Sequence, residues 1–223
     1  MPGTHVQIVC LANSRKMQGR CLAGRKWTGK KAGDWVRPVS AREHEEVSEY
    51  ERQYEDGSDP RLLDIIKIPL LEARPKLYQR ENWLLDPENY WEKIGNFPKS
   101  SLPTLVQEPG ILWLNGYSTQ HGLHDKIPVD RAGELDSSLR FIRSIVKIKV
   151  FAPSRDYGDY KRKILASFDW GGVQYKMKVT DPGVERQYLA LADGEHNLGE
   201  RFMTLSLGEP FQGNIYKLIA AII

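Results

Sequence analysis

The sequence predicts a mainly β protein built as two small barrels in tandem, with short helices between the strands. Three observations carry that prediction. At 223 residues the chain suits two small domains, since single cores stop growing near roughly 250 residues and most domains hold about 100 to 150. Its apolar residues fall mostly in short runs with the two-residue period of half-buried strands. Glycine- and proline-rich turns separate those runs, and few stretches have a helical period.

In chain order, His5 to Leu11 and Asp34 to Ser40 read as short strands, with Arg20 to Gly24 between them bounded by glycines. Ala41 to Tyr54 is rich in helix formers but poor in apolar positions, so an exposed acidic helix is expected over 43–56. Arg61 to Glu72 is apolar and β-branched, and Pro69 inside it calls for a bulge or an edge position. After Lys76 to Leu85 comes an irregular stretch from Asp86 to Ile111, punctuated by prolines at 87, 98, 103 and 109.

The second half is more regular. Ser138 to Phe151 alternates Ile145, Lys147, Lys149 and Phe151 against Val146, Ile148 and Val150, which is one apolar face of a strand. Tyr160 to Trp170, Gly171-Gly172 and Val173 to Thr180 form a hairpin signal, because two adjacent glycines tolerate the positive φ of a tight turn. Pro182 to Leu191 reads as a helical turn, with Asp181 as its N-cap. Arg201 to Leu207 and Asn214 to Ile223 complete five strands. Five strands with one interposed helix is the content of an OB-fold, whose open face and loops take single-stranded nucleic acid or oligosaccharide. The expected division is a first OB-like domain over 1–125, carrying the acidic helix and the proline-rich segment, and a second over 126–223.

The combination of SRK and GRCLAG near the start, WVRPVS after it, LLDIIKIPL, YQRENW, VTDP and the closing SLGEPFQGNIYKLIAAII is similar to the prokaryotic dual-OB domain family. That resemblance runs through almost the whole chain. It implies tandem OB barrels and, by analogy with OB-folds in general, nucleic-acid binding; it brings no catalytic residues with it.

Charge sharpens the functional expectation. The net charge of +3 hides a segregated chain: residues 1–40 hold eight cations and one acid, for +7, while residues 41–60 hold two cations and eight acids, for −6. A second basic block runs from Arg140 to Lys163. OB surfaces hold single strands with cations that track phosphates and aromatics that stack on bases. The candidates for that work are Arg15, Lys16, Arg20, Arg25, Lys26, Lys30, Lys31 and Arg37, with Trp27 as a stacking platform and Trp35 as core. In the second half they are Arg155, Tyr157, Tyr160, Lys161, Arg162 and Lys163. Gln79, Arg80 and Asn82 of the YQRENW element read either as polar ligand contacts or as turn-capping groups.

Other classes are poorly supplied. Forty per cent hydrophobic and 27% charged residues make a globular composition, not a disordered one. The longest apolar run, LIAAII, is far short of a membrane span, and the N-terminus lacks a signal-peptide pattern, so a cytoplasmic protein without a membrane partner is expected. Cys10 and Cys21 make neither a disulfide framework nor a zinc site. No cofactor motif occurs, and neither does a nucleophile elbow, a Walker-type loop or a Cys-x-x-Cys. His121 and His124, with Asp125 beside them, would bind a metal only on a helix that Gly122 disfavours. Asp169 with Gln174 and Lys176 resembles part of a metal-dependent nuclease site, without its usual second acid. The expectation is a non-catalytic binder of single-stranded DNA or RNA. The alternatives are an adaptor for a protein partner in a prokaryotic multi-component system and a divalent-metal nuclease.

Overall fold

The computed structural model describes residues 4–152 and 161–223. It is mainly β and divides into two compact units, Met1–Val106 with Asp136–Ser138, and Gln107–Leu135 with Leu139–Ile223.

In the first unit the order is β1 (Thr4–Lys16), β2 (Gly19–Trp27), β3 (Ala32–Val39), α1 (Glu49–Arg52), β4 (Asp64–Ala73), β5 (Asn82–Leu85) and β6 (Glu92–Asn96). Hydrogen-bonded neighbours run β1-β2-β3-β5-β4, and β4 pairs back to β1, so five strands close on themselves. The β3–β5 pair is parallel and the rest are antiparallel. That parallel closure, with the helix between the third and fourth strands, is the OB arrangement. Ile8, Cys10, Leu22, Val36, Ile66, Ile68, Leu70 and Leu85 fill the interior.

Gly24 is where the barrel needs a missing side chain, because a Cβ there would fall inside contact distance of the Val9 carbonyl oxygen on the neighbouring strand. Pro69 sits where β6, paired with β4 through Lys67, gives way to β5, paired from Leu70 onward. A register shift follows between Leu70 and Glu72, as the proline requires.

Three expectations change in this unit. The acidic stretch is not a helix over 43–56: α1 covers Glu49–Arg52, opened by a capping box in which Ser48 and Glu51 satisfy each other's backbone N–H groups. The residues before it are held extended, because buried Val47 exchanges two 2.9 Å backbone hydrogen bonds with Arg20. β2 runs three residues further than expected, so Arg25, Lys26 and Trp27 belong to a strand, and the turn begins at Thr28. The irregular stretch contains β6 and a 3-10 segment, Lys99–Leu105, whose Leu102 and Leu105 are buried.

The second unit holds β7 (Lys126–Pro128), β8 (Leu139–Phe151), β9 (Lys163–Trp170), β10 (Val173–Val179), α2 (Pro182–Leu189), β11 (Gly194–Leu207) and β12 (Asn214–Ile222). Its strands pair in the order β8-β9-β10-β12-β11 and close from β11 to β8, with β10 and β12 parallel. The same OB order is thus met twice. Gly171 and Gly172 take φ of 57° and 76° in the β9–β10 turn, so the glycine pair works as expected. Asp181 caps α2 by accepting from the Gly183 and Val184 N–H groups.

Residues 107–125, grouped by sequence with the first domain, lie in the second unit. Their polar groups explain it: Leu123 pairs both ways with Lys176, Trp170 Nε1 donates to Pro109 O at 2.8 Å, and Lys217 Nζ donates to Leu114 O at 2.7 Å. Among the described residues no helix is long and apolar enough to cross a membrane.

Candidate functional site

In an OB barrel the outer face of the second and third strands is the usual ligand platform. In the first unit that face is β2 and β3, and it is built over by the unit's own chain. Arg25 and Trp35 stand opposite each other across the two strands, and the guanidinium lies 6.0 Å from the indole centroid. Arg25 Nε donates to Gly33 O at 2.5 Å and its Nη1 to Leu105 O at 3.4 Å. Burial lowers the Arg25 guanidinium from its ordinary range, with Asp34 opposing. Trp27, expected as an exposed platform, is half-buried edge-on against Phe97, with ring centroids 5.1 Å apart.

Arg37 is further from solvent still, at 3% exposure. It pairs with Glu81 at 3.1 Å and donates to Ser138 Oγ at 3.0 Å, while the Ser138 hydroxyl donates to Glu81. Arg37 is therefore a structural cation and not a phosphate contact. Lys26 lies over the Trp83 ring at 5.6 Å. Arg15, Lys30 and Lys31 are exposed, and Lys16 and Arg20 are half-buried. Trp35, expected in the core, is half-buried on the outer face.

The corresponding face of the second unit is open. Alternation on β8 sends Val146, Ile148 and Val150 inward, each at most 1% exposed, and turns Ile145, Lys147 and Lys149 out. Cross-strand register then sets the rest: Lys147 faces Ser167 and Ser167 faces Lys176, while Lys149 faces Leu165 and Leu165 faces Lys178. Residues directly opposite share a face, so four lysines frame Leu165 and Ser167 on three adjacent strands. Strand geometry puts them about 7 Å apart along a strand and about 9.5 Å apart across β9.

None of the four makes an ion pair with a described residue. Two acids lie near: Asp169 further along β9, and Glu195 opposite Lys149 on β11. One end of the lysine rows carries an aromatic pair. Phe151 follows Lys149 on the same outward row, and the exposed His121 ring packs 5.1 Å from it at 64°. The arrangement can neutralise adjacent phosphates and offer a flat edge to a base.

The sequence placed Lys147 and Lys149 in a basic block without marking either as a contact, drew Lys176 only into the trio with Asp169 and Gln174, and left Lys178 unmarked. The available signal was the repeated Lys-x-Lys of KIK and KMK on the strands flanking β9. Of the residues it did name there, Arg162 is occupied, donating to Leu189 O and Leu191 O at 2.5 Å each at the C-terminal end of α2 and pairing with Asp193. Lys161 is exposed and Lys163 is half-buried opposite Phe151. Arg155, Tyr157 and Tyr160 lie outside the described residues.

Two of the remaining polar candidates are buried against each other. Gln79 and Asn82 are 6% and 1% exposed, and Asn82 Nδ2 donates to Gln79 Oε1 at 3.3 Å; Arg80 is exposed. His121 and His124 do not share a helix. His124 sits at φ 52° with Nδ1 accepting from the Gly116 N–H at 2.9 Å, while Asp125 takes both polar groups of Thr119. Among the described residues no three His, Cys, Asp or Glu side chains gather as metal ligands. Asp169 and Gln174 do face each other, with Lys176 on the same face, so that trio is a lone carboxylate beside lysines.

No curated protein and no solved structure matches the chain. A family model described as the dual OB-containing domain matches residues 6–222. With two closed five-strand sheets in the same OB order, this chain belongs to the dual OB-containing domain family.

Proposed function

We propose that this protein binds single-stranded nucleic acid without cleaving it, through the outer face of β8, β9 and β10. The observation that carries the reading is the frame of Lys147, Lys149, Lys176 and Lys178, with no ion pair to a described residue, ending at Phe151 and His121. Lysines lined up on a sheet release counterions from phosphates, and the aromatic pair favours a strand whose bases are free to stack. The first barrel has a scaffolding role in this reading, because Arg25, Trp27 and Arg37 are engaged within its own unit. A single carboxylate, Asp169, among lysines is a poor ligand set for a divalent cation, so cleavage is not part of the proposal.

Fluorescence anisotropy with labelled DNA and RNA single strands over a salt series tests it. Four phosphate contacts give a slope of log affinity against log salt near about −3. Replacing the four lysines by alanine should lower affinity at least tenfold and flatten that slope. Replacing Lys30 and Lys31 should do neither. Binding unchanged by the fourfold variant would remove the site.

A further inference from the structure

The trio of Asp169, Gln174 and Lys176, too sparse for a metal-dependent nuclease, lies on the lysine face of the second unit. Asp169 and Gln174 stand directly opposite each other on β9 and β10, separated from the Gly171-Gly172 turn by the Trp170–Val173 pair, and both are exposed. Side chains opposed in this way share a face, with Cβ atoms about 5 Å apart. Neither the carboxylate nor the side-chain amide has a hydrogen bond or ion pair to a described residue. A carboxylate on this face repels phosphates and attracts hydrogen-bond donors, which a nucleic-acid strand carries only on its bases and on ribose hydroxyls.

A second observation is independent of charge. Ile145, which precedes Lys147 on the outward row of β8, is 62% exposed. Ser144 Oγ donates to Asp169 O at 2.8 Å, which brings this end of the row beside Asp169. A bare aliphatic side chain next to an unpaired carboxylate and amide offers an apolar surface to the plane of a base. The hairpin that carries the polar pair is held from behind: Trp170 Nε1 donates to Pro109 O at 2.8 Å, and the Gly171 backbone lies so near the Gly110 carbonyl oxygen that a Cβ there would strike it. Groups fixed in this way bind without a further cost of ordering.

We infer that Asp169 and Gln174 read a guanine of the bound single strand. The two carboxylate oxygens accept the N1–H and one 2-amino N–H of an unpaired guanine side by side, the Gln174 amide donates to O6, and Ile145 supports the ring. No other base has two adjacent donors on its Watson–Crick edge; thymine and uracil flank a single N–H with carbonyl oxygens that a carboxylate repels. A ribose hydroxyl, with one proton to give, leaves the second carboxylate oxygen and the amide unused. The inference rests on the binding face proposed above. It divides that face into a base-reading end at the hairpin, phosphate contacts at the lysines, and stacking at Phe151 and His121.

Fluorescence anisotropy on the full chain measures the ratio of two affinities, for a labelled thymidine nonamer and for the same DNA with guanine at its centre. The guanine strand should bind at least about tenfold more tightly, as a bidentate base contact implies. Inosine at that position lacks only the 2-amino group and should lose most of the gain, and adenine or cytosine should lose all of it. Asp169→Asn should bring the ratio close to one, and Gln174→Ala, separately, should lower it. A change of surface charge alone moves both affinities together, so the ratio separates base reading from electrostatics. Replacing the four lysines by alanine should weaken both strands alike. A guanine strand no tighter than thymidine, with binding still lost in the fourfold lysine variant, overturns the base reading and leaves the phosphate-binding face standing; no binding of either strand overturns both. Base reading also fails if inosine matches guanine, or if the ratio survives either single variant.

Discussion

Buried ionisable side chains define what single residues do in this protein. Arg37, Glu81 and Ser138 satisfy one another out of water, and Ser138 immediately precedes β8. Arg37→Met leaves the Glu81 carboxylate buried without its cation, at a cost of about 3 to 5 kcal/mol in urea unfolding, whereas the Arg37→Met, Glu81→Met double variant should recover most of that. Lys217 is the second case. It is 1% exposed, donates to Leu114 O at 2.7 Å and Asn115 Oδ1 at 3.0 Å, and lies 5.5 Å from the Tyr175 centroid. Burial pushes its ammonium down to about 7 from 10.5, with Asp125 opposing. The unfolded chain therefore binds more protons between pH 7 and 10.5, and stability contributed by this residue rises with pH across that window. It is fully present above 10.5 and lost as pH falls through 7. Lys217→Met should remove that rise from denaturant midpoints measured along the pH series; an unchanged profile would mean that another group titrates. Neither site was legible in the sequence, where Arg37 counts as one more cation and Lys217 as an interruption of an apolar strand.

At the scale of elements, two glycines separate two physical reasons for the same residue. A side chain at Gly24 would strike the backbone of β1, which cannot give way without parting the strands. At Gly172 nothing lies within 4 Å, and only the φ of 76° resists substitution. Gly172→Ala should cost about 1 to 2 kcal/mol as left-handed strain. Gly24→Ala should cost more, about 3 kcal/mol at the upper end of overpacking, and thermal midpoints of the two variants should rank in that order. The hairpin glycines were readable in advance, because the pair falls between two alternating runs. Gly24 was not, since the need for it arises from Val9 across the β1–β2 pair. For the same reason the acidic stretch deceived: helix formers describe residues 41–54 by themselves, and the Val47–Arg20 bridge that holds part of them extended is a tertiary contact.

For the whole molecule, tandem repetition of one topology has produced two barrels with unlike surfaces. The first spends its aromatic and basic β2–β3 face on Phe97 and on Leu105 at the end of its own 3-10 segment. The second leaves the equivalent face to four lysines. The expected consequence for oligonucleotide binding is that charge removal at Lys147, Lys149, Lys176 and Lys178 outweighs any equal removal from the opening basic stretch, whose count is higher. An anisotropy comparison of the two fourfold variants, the second at Arg15, Lys16, Lys30 and Lys31, decides it; the reverse ranking would return the site to the first barrel. Sequence by itself determined the β content, the tandem OB organisation and the β9–β10 hairpin, because alternation, glycine pairs and capping residues act within a few positions of the chain. Only the tertiary structure decided which cations are available. Burial of Arg37, the engagement of Arg25 and Trp27, and the alignment of two Lys-x-Lys pairs across β9 depend on partners dozens of residues away, and pairing register is what brings those partners together.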